Sequence, residues 1–439
     1  MRSPYPRYKP SGVEWLGDLP EHWEVKRLKY VSSYCTSNVD KKTQDDQLPV
    51  RLCNYTDVYY QERIRVNDSD YMEATASPHE VAKFKLDVGD VVITKDSEDW
   101  TDIAIPALVE ETADDFVCGY HLGIIRTKPL IDSTFIFRAV QSVSINRQLQ
   151  VYASGVTRYG LPKTAIGEAL IPFPTLPEQL AIAGFLDQET ARVDALVEKK
   201  KQLIERLAEY RTALITRTVT RGLPPDVAEA EGFDPAPPLK PSGVEWLGDV
   251  PEHWEVKQLH RICQLAYGDS LPDDSRQTGE FPVLGSNGTV GYHKKTNTLA
   301  PVIVIGRKGS HGRVNFNDSP IFAIDTTFFI DGRNTDAELR WLYFSLLCIE
   351  LDEESMDSAV PGLSRQYAYK KDLALPPLKE QRAIAAFLDS QTECIDALSG
   401  QVEAAIERLQ EYRTALITAA VTGKIDVSNW ERVETGASA

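Results

Sequence analysis

Apolar residues recur at three- and four-residue intervals along two stretches of the chain, which predicts two long amphipathic helices that pair as a coiled coil. The first runs through Leu186, Val193, Leu196, Leu203, Leu207, Tyr210 and Leu214. The second, in the same phase, runs through Leu388, Ile395, Leu398, Val402, Ala405, Leu409, Tyr412 and Leu416. Each begins behind prolines, Pro174 and Pro177 or Pro376 and Pro377, which end an extended segment and suit a first helical turn. Lys200 aligns with Val402 and Glu189 with Gln391, so the first seam carries polar positions that fix register or meet a partner. Outside the helices, short apolar runs at 90–94, 122–126, 301–305 and 321–330, bounded by Gly, Pro and Asp, predict strands. Patches at 135–151 and 337–349 predict helices packed on them. The fold class is α+β: two mixed α/β domains joined by two long antiparallel coiled-coil helices, with a pseudo-twofold internal repeat.

The repeat is in the text itself. Residues 9–26 (KPSGVEWLGDLPEHWEVK) return at 240–257 with one change, Leu19 to Val250. Glu178, Gln179, Ala181, Ile182 and Ala183 return as Glu380, Gln381, Ala383, Ile384 and Ala385, and EYRTALIT at 209–216 returns whole at 411–418. The 133 residues of 27–159 and the 104 of 258–361 share little wording. A repeated frame holding two unlike inserts is suited to presenting two different readings from one scaffold.

The helix direction follows from reach. A helix over 177–220 is about 66 Å long at roughly 1.5 Å per residue, whereas the Pro- and acid-rich link 222–239 spans at most about 60–65 Å. Parallel helices would stretch that link to its limit. An antiparallel pair needs no such reach; it sets the inserts at opposite ends and returns the last helix to the N-terminal block. The expected domains are a frame block 1–26, a first insert domain 27–173, a central helix 174–221, a linker 222–239, a second frame block with its insert domain 240–375, a C-terminal helix 376–427 and a tail 428–439.

Composition narrows the class. A hydrophobic content of 42% suits a chain with real cores. No apolar run approaches the roughly 18 residues of a membrane span, and the N-terminus has no apolar signal region, so a cytoplasmic location without membrane contact is expected. Six scattered cysteines without a Cys-x-x-Cys pair predict free buried thiols rather than a zinc site or disulfides. The net charge of −17 argues against a general polyanion binder. Yet 281–317 and 133–167 contain no acid at all, and each carries several cations. Each insert therefore holds a local positive stretch suited to nucleic-acid contact. The candidates are Arg138, Arg147, Arg158, Tyr159 and Lys163 in the first stretch, and Asn287, Lys294, Lys295, Arg307, Lys308, Ser310 and Arg313 in the second, with Arg365 just beyond.

Catalytic devices are missing. There is no Walker loop, no second histidine after His79-Glu80, no G-x-S-x-G and no Asn/Asp-Pro-Pro-aromatic tetrapeptide. His22 and His253 lie between Glu and Trp in the duplicated block. Duplication favours a structural role for them, and Trp15, Trp23, Trp246 and Trp254 are expected to be packing anchors. The most suggestive text is VIGRKGSHG at 304–312, a strand breaking into a Gly-rich basic turn, preceded by GSNGTVGY at 285–292. Arginine can fork onto guanine, asparagine onto adenine, and glycine lets backbone approach phosphate. Arg158 and Tyr159 precede Gly160-Leu161, where the first insert rejoins the frame, 202 positions before Gly362-Leu363.

Together these features resemble the specificity subunit of type I restriction-modification systems. The resemblance is carried by PSGVEWLGDLPEHWEVKRL, by PFPTLPEQLAIAGFLD and PPLKEQRAIAAFLD, by EYRTALIT, and by GSNGTVGY, VIGRKG and AIDTTFF, over residues 9–427. It implies that each insert is a target-recognition domain for one half of a bipartite, asymmetric sequence in double-stranded DNA. It implies that the helices set the spacing and dock two modification subunits, with restriction (translocase) subunits joining them. S-adenosylmethionine would belong to the modification partner, ATP and Mg to the restriction partner, and no cofactor or active site to this chain. An adaptor without DNA would explain the helices but not the unlike inserts, and Glu-Val-Lys at 24–26 and 255–257 is a poor metal site for a nuclease.

Overall fold

The structure, a computed structural model, describes residues 4–352 and 362–428. The predicted tail from 429 onward and Pro361 of the second insert lie outside the described residues. The chain forms two compact units: one gathers residues up to Lys199 and from Ala404 onward, the other Lys200–Glu403. Each unit therefore holds a frame block, an insert, the opening half of the helix that follows, and the closing half of the other long helix.

The first insert contributes β1 (Ser32–Thr36), β2 (Leu48–Cys53), β3 (Arg63–Arg65), β4 (Met72–Ala76), β5 (Val91–Thr94), β6 (Pro106–Glu111), β7 (Phe116–Cys118) and β8 (Leu122–Thr127). They form a five-stranded sheet, β1-β8-β5-β6-β3, and a three-stranded sheet, β7-β2-β4. The second contributes β9 (Ala266–Tyr267), β10 (Phe281–Gly285), β11 (Gly288–His293), β12 (Val302–Gly306), β13 (Val314–Asn317), β14 (Phe322–Ala323) and β15 (Thr327–Asp331). Here the sheets are β9-β15-β12-β13 and β11-β10-β14. Order and direction agree strand for strand. The large sheets share three antiparallel pairings over four strands, and each small sheet joins one antiparallel pair to one parallel pair. Two texts with little shared wording thus build one topology. Much of the length difference lies between β2 and β4, where the first insert adds the helix Tyr55–Tyr60 and β3, while β10 and β11 meet in a tight turn at Ser286 and Asn287.

The central strands are apolar on both faces because both faces are covered. Val91 and Ile93 join the core shared with the helices, while Val92 faces the small sheet's core. Ile303 and Ile305 divide from Val302 and Val304 in the same way. Three expectations need correction. The helix expected over 135–151 is two, Ser133–Gln141 and Val143–Val151, because Ser142 is extended (φ −67°, ψ 140°) and interrupts the ladder. The run 321–330 splits into β14 and β15. The supposed tether contains the helix Pro225–Ala230, started by its own prolines.

The long helices are Leu176–Arg221 and Leu378–Val421. At the start of the first, Glu178 Oε2 accepts from the Thr175 amide and hydroxyl. Its Oε1 takes His22 Nε2 at 2.8 Å and the buried Trp23 indole at 3.2 Å. In the second unit Glu380 Oε2 meets His253 Nε2 at 2.9 Å and the Trp254 indole at 3.0 Å. Burial alone would raise the Glu178 pKa, but the hydrogen bonds from His22, Thr175 and Trp23 outweigh it and hold the carboxyl below its usual range. The adjacent glutamines repeat as well: Gln179 accepts from the Asp132 amide and donates to Pro174 O, and Gln381 accepts from the Glu338 amide and donates to Pro376 O.

The helices run antiparallel. Arg413 Nε meets Asp194 Oδ1 at 2.9 Å in the first unit, and Arg211 Nε meets Asp396 Oδ1 at 3.2 Å in the second. From Asp194 to Arg211 is 17 residues forward on one helix, and from Arg413 to Asp396 is 17 back on the other. The 202-residue repeat exchanges the two pairs, as an isologous contact requires.

The seam differs in part from the apolar pattern. Leu186, Val193, Leu388, Ile395 and Val402 are buried, and Leu207, Leu214, Leu409 and Leu416 are half-buried. Leu196, Leu203, Tyr210, Leu398 and Tyr412 are instead exposed. The covered positions run Leu186, Thr190, Val193, Val197, Lys200, Ile204, Leu207, Arg211, Leu214 and Thr218, a strict 4-3 alternation that accepts Lys200 and Arg211. Helical geometry, not leucine content, sets which residues face inward. Trp15 is exposed and does not anchor the core, Trp246 packs half-buried against the second unit's core, and Trp23 and Trp254 are fully buried anchors. Among the cysteines, Cys394 is exposed and Cys35 and Cys348 are half-buried.

Arg413 also donates to Glu62 at 2.6 Å and is better covered than Arg211. Arg413→Ala is therefore expected to cost about 1–3 kcal/mol, and Arg211→Ala less than about 1 kcal/mol. Urea denaturation of both variants checks this; equal losses would mean that the Glu62 contact contributes nothing.

Candidate nucleic-acid interface

The second unit gathers most of its candidates at one place. Strand β12 ends at Gly306, where a Cβ would lie 2.2 Å from Ser310 O, so the basic turn that follows can close only over glycine. The next residue, Arg307, is fixed by its backbone: its amide donates to Thr326 O at 2.8 Å and its carbonyl accepts from the Leu363 amide at 2.9 Å. Its guanidinium lies over the Tyr267 ring at 4.9 Å and donates to Asp325 O at 3.1 Å. Arg365 lies 4.8 Å from the centre of the same ring. Asn287, at the tip of the β10–β11 turn, accepts on Oδ1 from Arg313 Nη1 at 3.1 Å and from the Ser310 hydroxyl at 3.4 Å. Lys308 is exposed and bridges in backbone to Gly362.

Asn287, Arg307, Lys308, Ser310, Arg313 and Arg365 thus share one surface, to which Tyr267 adds an exposed ring. Among the described residues none of these arginines pairs with a carboxylate; they rest on a ring, an amide and backbone carbonyls. Cations held in this way keep donor edges for acceptors on another molecule. Lys294 and Lys295 are exposed but follow the far end of β11, whose last residue His293 pairs with Phe281.

In the first unit the candidates scatter. Arg138 is a correction: it is buried, and its guanidinium is committed to Asp187 Oδ1 at 2.8 Å, Thr190 Oγ1 at 2.9 Å, Gln141 Oε1 at 2.7 Å and Glu62 Oε2 at 3.3 Å. Burial lowers its pKa against the opposing pull of Glu62 and Asp187. It ties the helix Ser133–Gln141 to the central helix and has no edge left for a ligand. Arg147 is exposed beside a cleft of about 850 Å³ lined by Tyr59, Tyr60 and Trp100. Lys163 is exposed, its ammonium 5.9 Å from the Tyr34 ring. Arg158 is exposed, and Tyr159 lies in a short strand, Tyr159–Gly160, paired with Asp96–Ser97.

The shared topology locates the counterpart of the Arg307 turn. The Lys95 amide donates to His121 O at 2.8 Å and its carbonyl accepts from the Leu161 amide at 2.8 Å. These are the bonds that Arg307 makes with Thr326 and Leu363. Lys95, Asp96 and His121 are therefore the positions missed from sequence. The acid-free windows passed over them because this turn carries Asp96, Glu98 and Asp99. The signal that marks them is a buried apolar strand ending in a basic residue, VVITK against VIVIGR, combined with the Gly-Leu that closes each insert.

Comparison with known proteins agrees with this architecture. The sequence profile described as the type I restriction modification DNA specificity domain matches residues 20–206 and again 251–408. The chain is 26% identical over 447 residues to the type I restriction enzyme EcoKI specificity subunit of Escherichia coli K12, covering 93% of this chain and 90% of that one. It is 24% identical over 434 residues to a Methanocaldococcus jannaschii chain named as the MjaX specificity subunit, covering 94% and 96%. A solved structure described under complex assembly and conformational transition of the type I R-M system superposes with a TM-score of 0.65 at 19% identity, over 92% of this chain and 98% of that one. The HsdS subunit from Thermoanaerobacter tengcongensis gives 0.50 at 20% identity, over 92% and 98%. Among the described residues no helix is long and apolar enough to cross a membrane.

Arg138→Ala should act on stability, with a loss of about 2–4 kcal/mol from the charges left uncompensated. The check is urea denaturation set beside the sequence preference of any surviving complex; a stable variant with an altered preference would return Arg138 to the interface.

Proposed function

The chain belongs to the type I restriction modification DNA specificity family, and from that premise we propose that each of its two recognition domains reads one half of a bipartite, asymmetric DNA sequence while the helix pair sets the gap. A specificity subunit is the non-catalytic, DNA-recognising component of its complex. The observation that carries the two-reader proposal is the repetition of one topology with different side chains at the equivalent turns, Lys95 in one unit and Arg307 in the other. A shared topology keeps the turns in place, and unlike side chains on them give unlike base preferences.

Two modification subunits dock, on this proposal, on the two copies of EYRTALIT. Tyr210 and Tyr412 are 55% and 50% exposed, too open for packing within the chain to explain their identity. Beside Tyr210 a groove of about 780 Å³ is lined by Glu209, Thr212, Ala213 and Thr216, and in the other unit Glu411, Thr414, Ala415 and Thr418 line one of about 890 Å³ with Trp15. The same exposed text written twice suits two copies of one partner. S-adenosylmethionine then enters with the modification subunits, and ATP with Mg enters with restriction subunits that join the assembly.

Co-expression with the modification subunit in a methylation-free host, followed by genome-wide mapping of methyladenine, should return two short halves around a fixed gap. An intact complex that methylates no such motif would overturn the reading. Arg307→Ala, Lys308→Ala and Arg313→Ala combined should relax one half only, and an unchanged motif would remove the basic turn from the interface. Tyr210→Asp or Tyr412→Asp should leave one modification subunit bound, and the double variant none. Native mass spectrometry counts them, and full occupancy in the double variant would rule out this face.

A further inference from the structure

The turn in the first unit that corresponds to Arg307 holds a side-chain cluster unlike that of the second unit. The Lys95 ammonium donates to Asp96 Oδ2 at 2.6 Å, and His121 Nδ1 lies 2.9 Å from the same oxygen. All three side chains are largely covered, with exposures of 20%, 18% and 15%. Arg158 Nη2 lies 3.3 Å from His121 Nδ1 and 3.1 Å from Nε2. One nitrogen can approach both ring nitrogens so closely only over the ring, because approach in the ring plane would collide with the carbon between them. The guanidinium therefore lies against the face of the imidazole.

Each member of the cluster has a visible support. Asp96 fixes the ring through Nδ1, and Lys95 balances the carboxylate. Burial, the largest effect, lowers the His121 pKa, with Arg158 acting in the same direction, which keeps the ring neutral and able to carry a cation on its face. Backbone pairing of Tyr159 with Ser97 and of Gly160 with Asp96 ties the segment after Arg158 to the turn. At Gly155 (φ +154°) a Cβ would lie 1.9 Å from Arg158 O, so the loop carrying the arginine closes only over glycine. The second unit reaches a similar result by other means, with Arg307 and Arg365 against Tyr267. Both units lay a guanidinium on a ring beside the same backbone turn. Among the described residues Arg158 pairs with no carboxylate and its Nε and Nη1 have no hydrogen-bond partner, so the guanidinium keeps N–H donors for an acceptor on another molecule.

We propose that Arg158 reads a guanine in the half-site of the first unit, with His121 as the platform that orients it and Asp96 and Lys95 as the residues that hold the platform. A flat guanidinium matches the O6 and N7 acceptors that guanine alone presents side by side in the major groove. Arg158 is the contact; His121, Asp96 and Lys95 are positioning residues. The inference rests on the two-reader function proposed above.

The test maps methyladenine motifs for complexes built with the wild-type chain and with variants. In Arg158→Ala, preference for one guanine should fall roughly tenfold or more, and it should fall in the half that the Arg307/Lys308/Arg313 variant leaves intact. Arg158→Lys should recover only part of the preference, since a point charge lacks the fork. His121→Ala should relax the same position, whereas His121→Phe, which retains a ring, should largely restore it. An unchanged motif in Arg158→Ala, or relaxation in the other half, overturns the proposal; so does a preference fully restored by lysine, which would make Arg158 a phosphate contact. Should Arg158→Ala fail to assemble, the lysine variant and the His121 pair decide by the same readout. A wild-type complex without a two-part motif would instead defeat the underlying function.

Discussion

One buried indole in each unit fixes the junction on which everything else hangs. Trp23 is fully covered, and its buried N–H is satisfied by Glu178 at the start of the central helix. The last turn of the other helix closes over the same ring: at Gly423 (φ +69°) a Cβ would lie 3.2 Å from Trp23 Cζ3 and 2.5 Å from the Pro20 ring. Trp254 makes the corresponding junction with Glu380 and Gly222 (φ +86°). A frame block therefore cannot pack without the beginning of one long helix and the end of the other. Within residues 9–26 and 240–257 this three-way contact fixes the tryptophan and the proline three residues before it, which both copies keep.

From that junction the inserts are free to diverge in surface while keeping their topology. What the sheets require is apolar alternation on covered faces, met equally by Val91, Val92 and Ile93 and by Val302–Ile305. Nothing in that requirement constrains the residue after the strand. The backbone of that residue is clamped from two sides by the amides and carbonyls of the insert's closing segment and of the neighbouring strand's approach. Its side chain can change without cost to the core. The fold thus separates where a reading residue sits from which residue it is, the separation a two-reader protein needs.

The same separation explains what was legible in the sequence. Long helices, their antiparallel direction and the repeated frame could be read because they rest on periodicity, reach and exact wording. The seam was only partly legible, because Leu196, Leu203 and Leu398 imitate covered positions while Lys200 and Arg211, which the geometry covers, look like surface. Common topology of the inserts was invisible in wording, since strand pairing depends on pattern rather than identity. Counting charge along the chain picked out Arg307 and Arg158, whose guanidinium groups pair with no carboxylate among the described residues, but also Arg138, whose positive charge is used internally. Local charge density cannot distinguish a cation on offer from one already paired.

The same distinction separates the arginines of the helix junctions from those of the turns in a chain of net charge −17. Around the helices several acids are engaged by arginines: Asp187 by Arg63 and Arg138, Glu62 by Arg138 and Arg413, Asp389 by Arg340, Asp194 by Arg413. The turns proposed to read bases follow the opposite rule, with guanidinium groups set on Tyr267 and His121 rather than on carboxylates. A ring holds a cation in place without neutralising it.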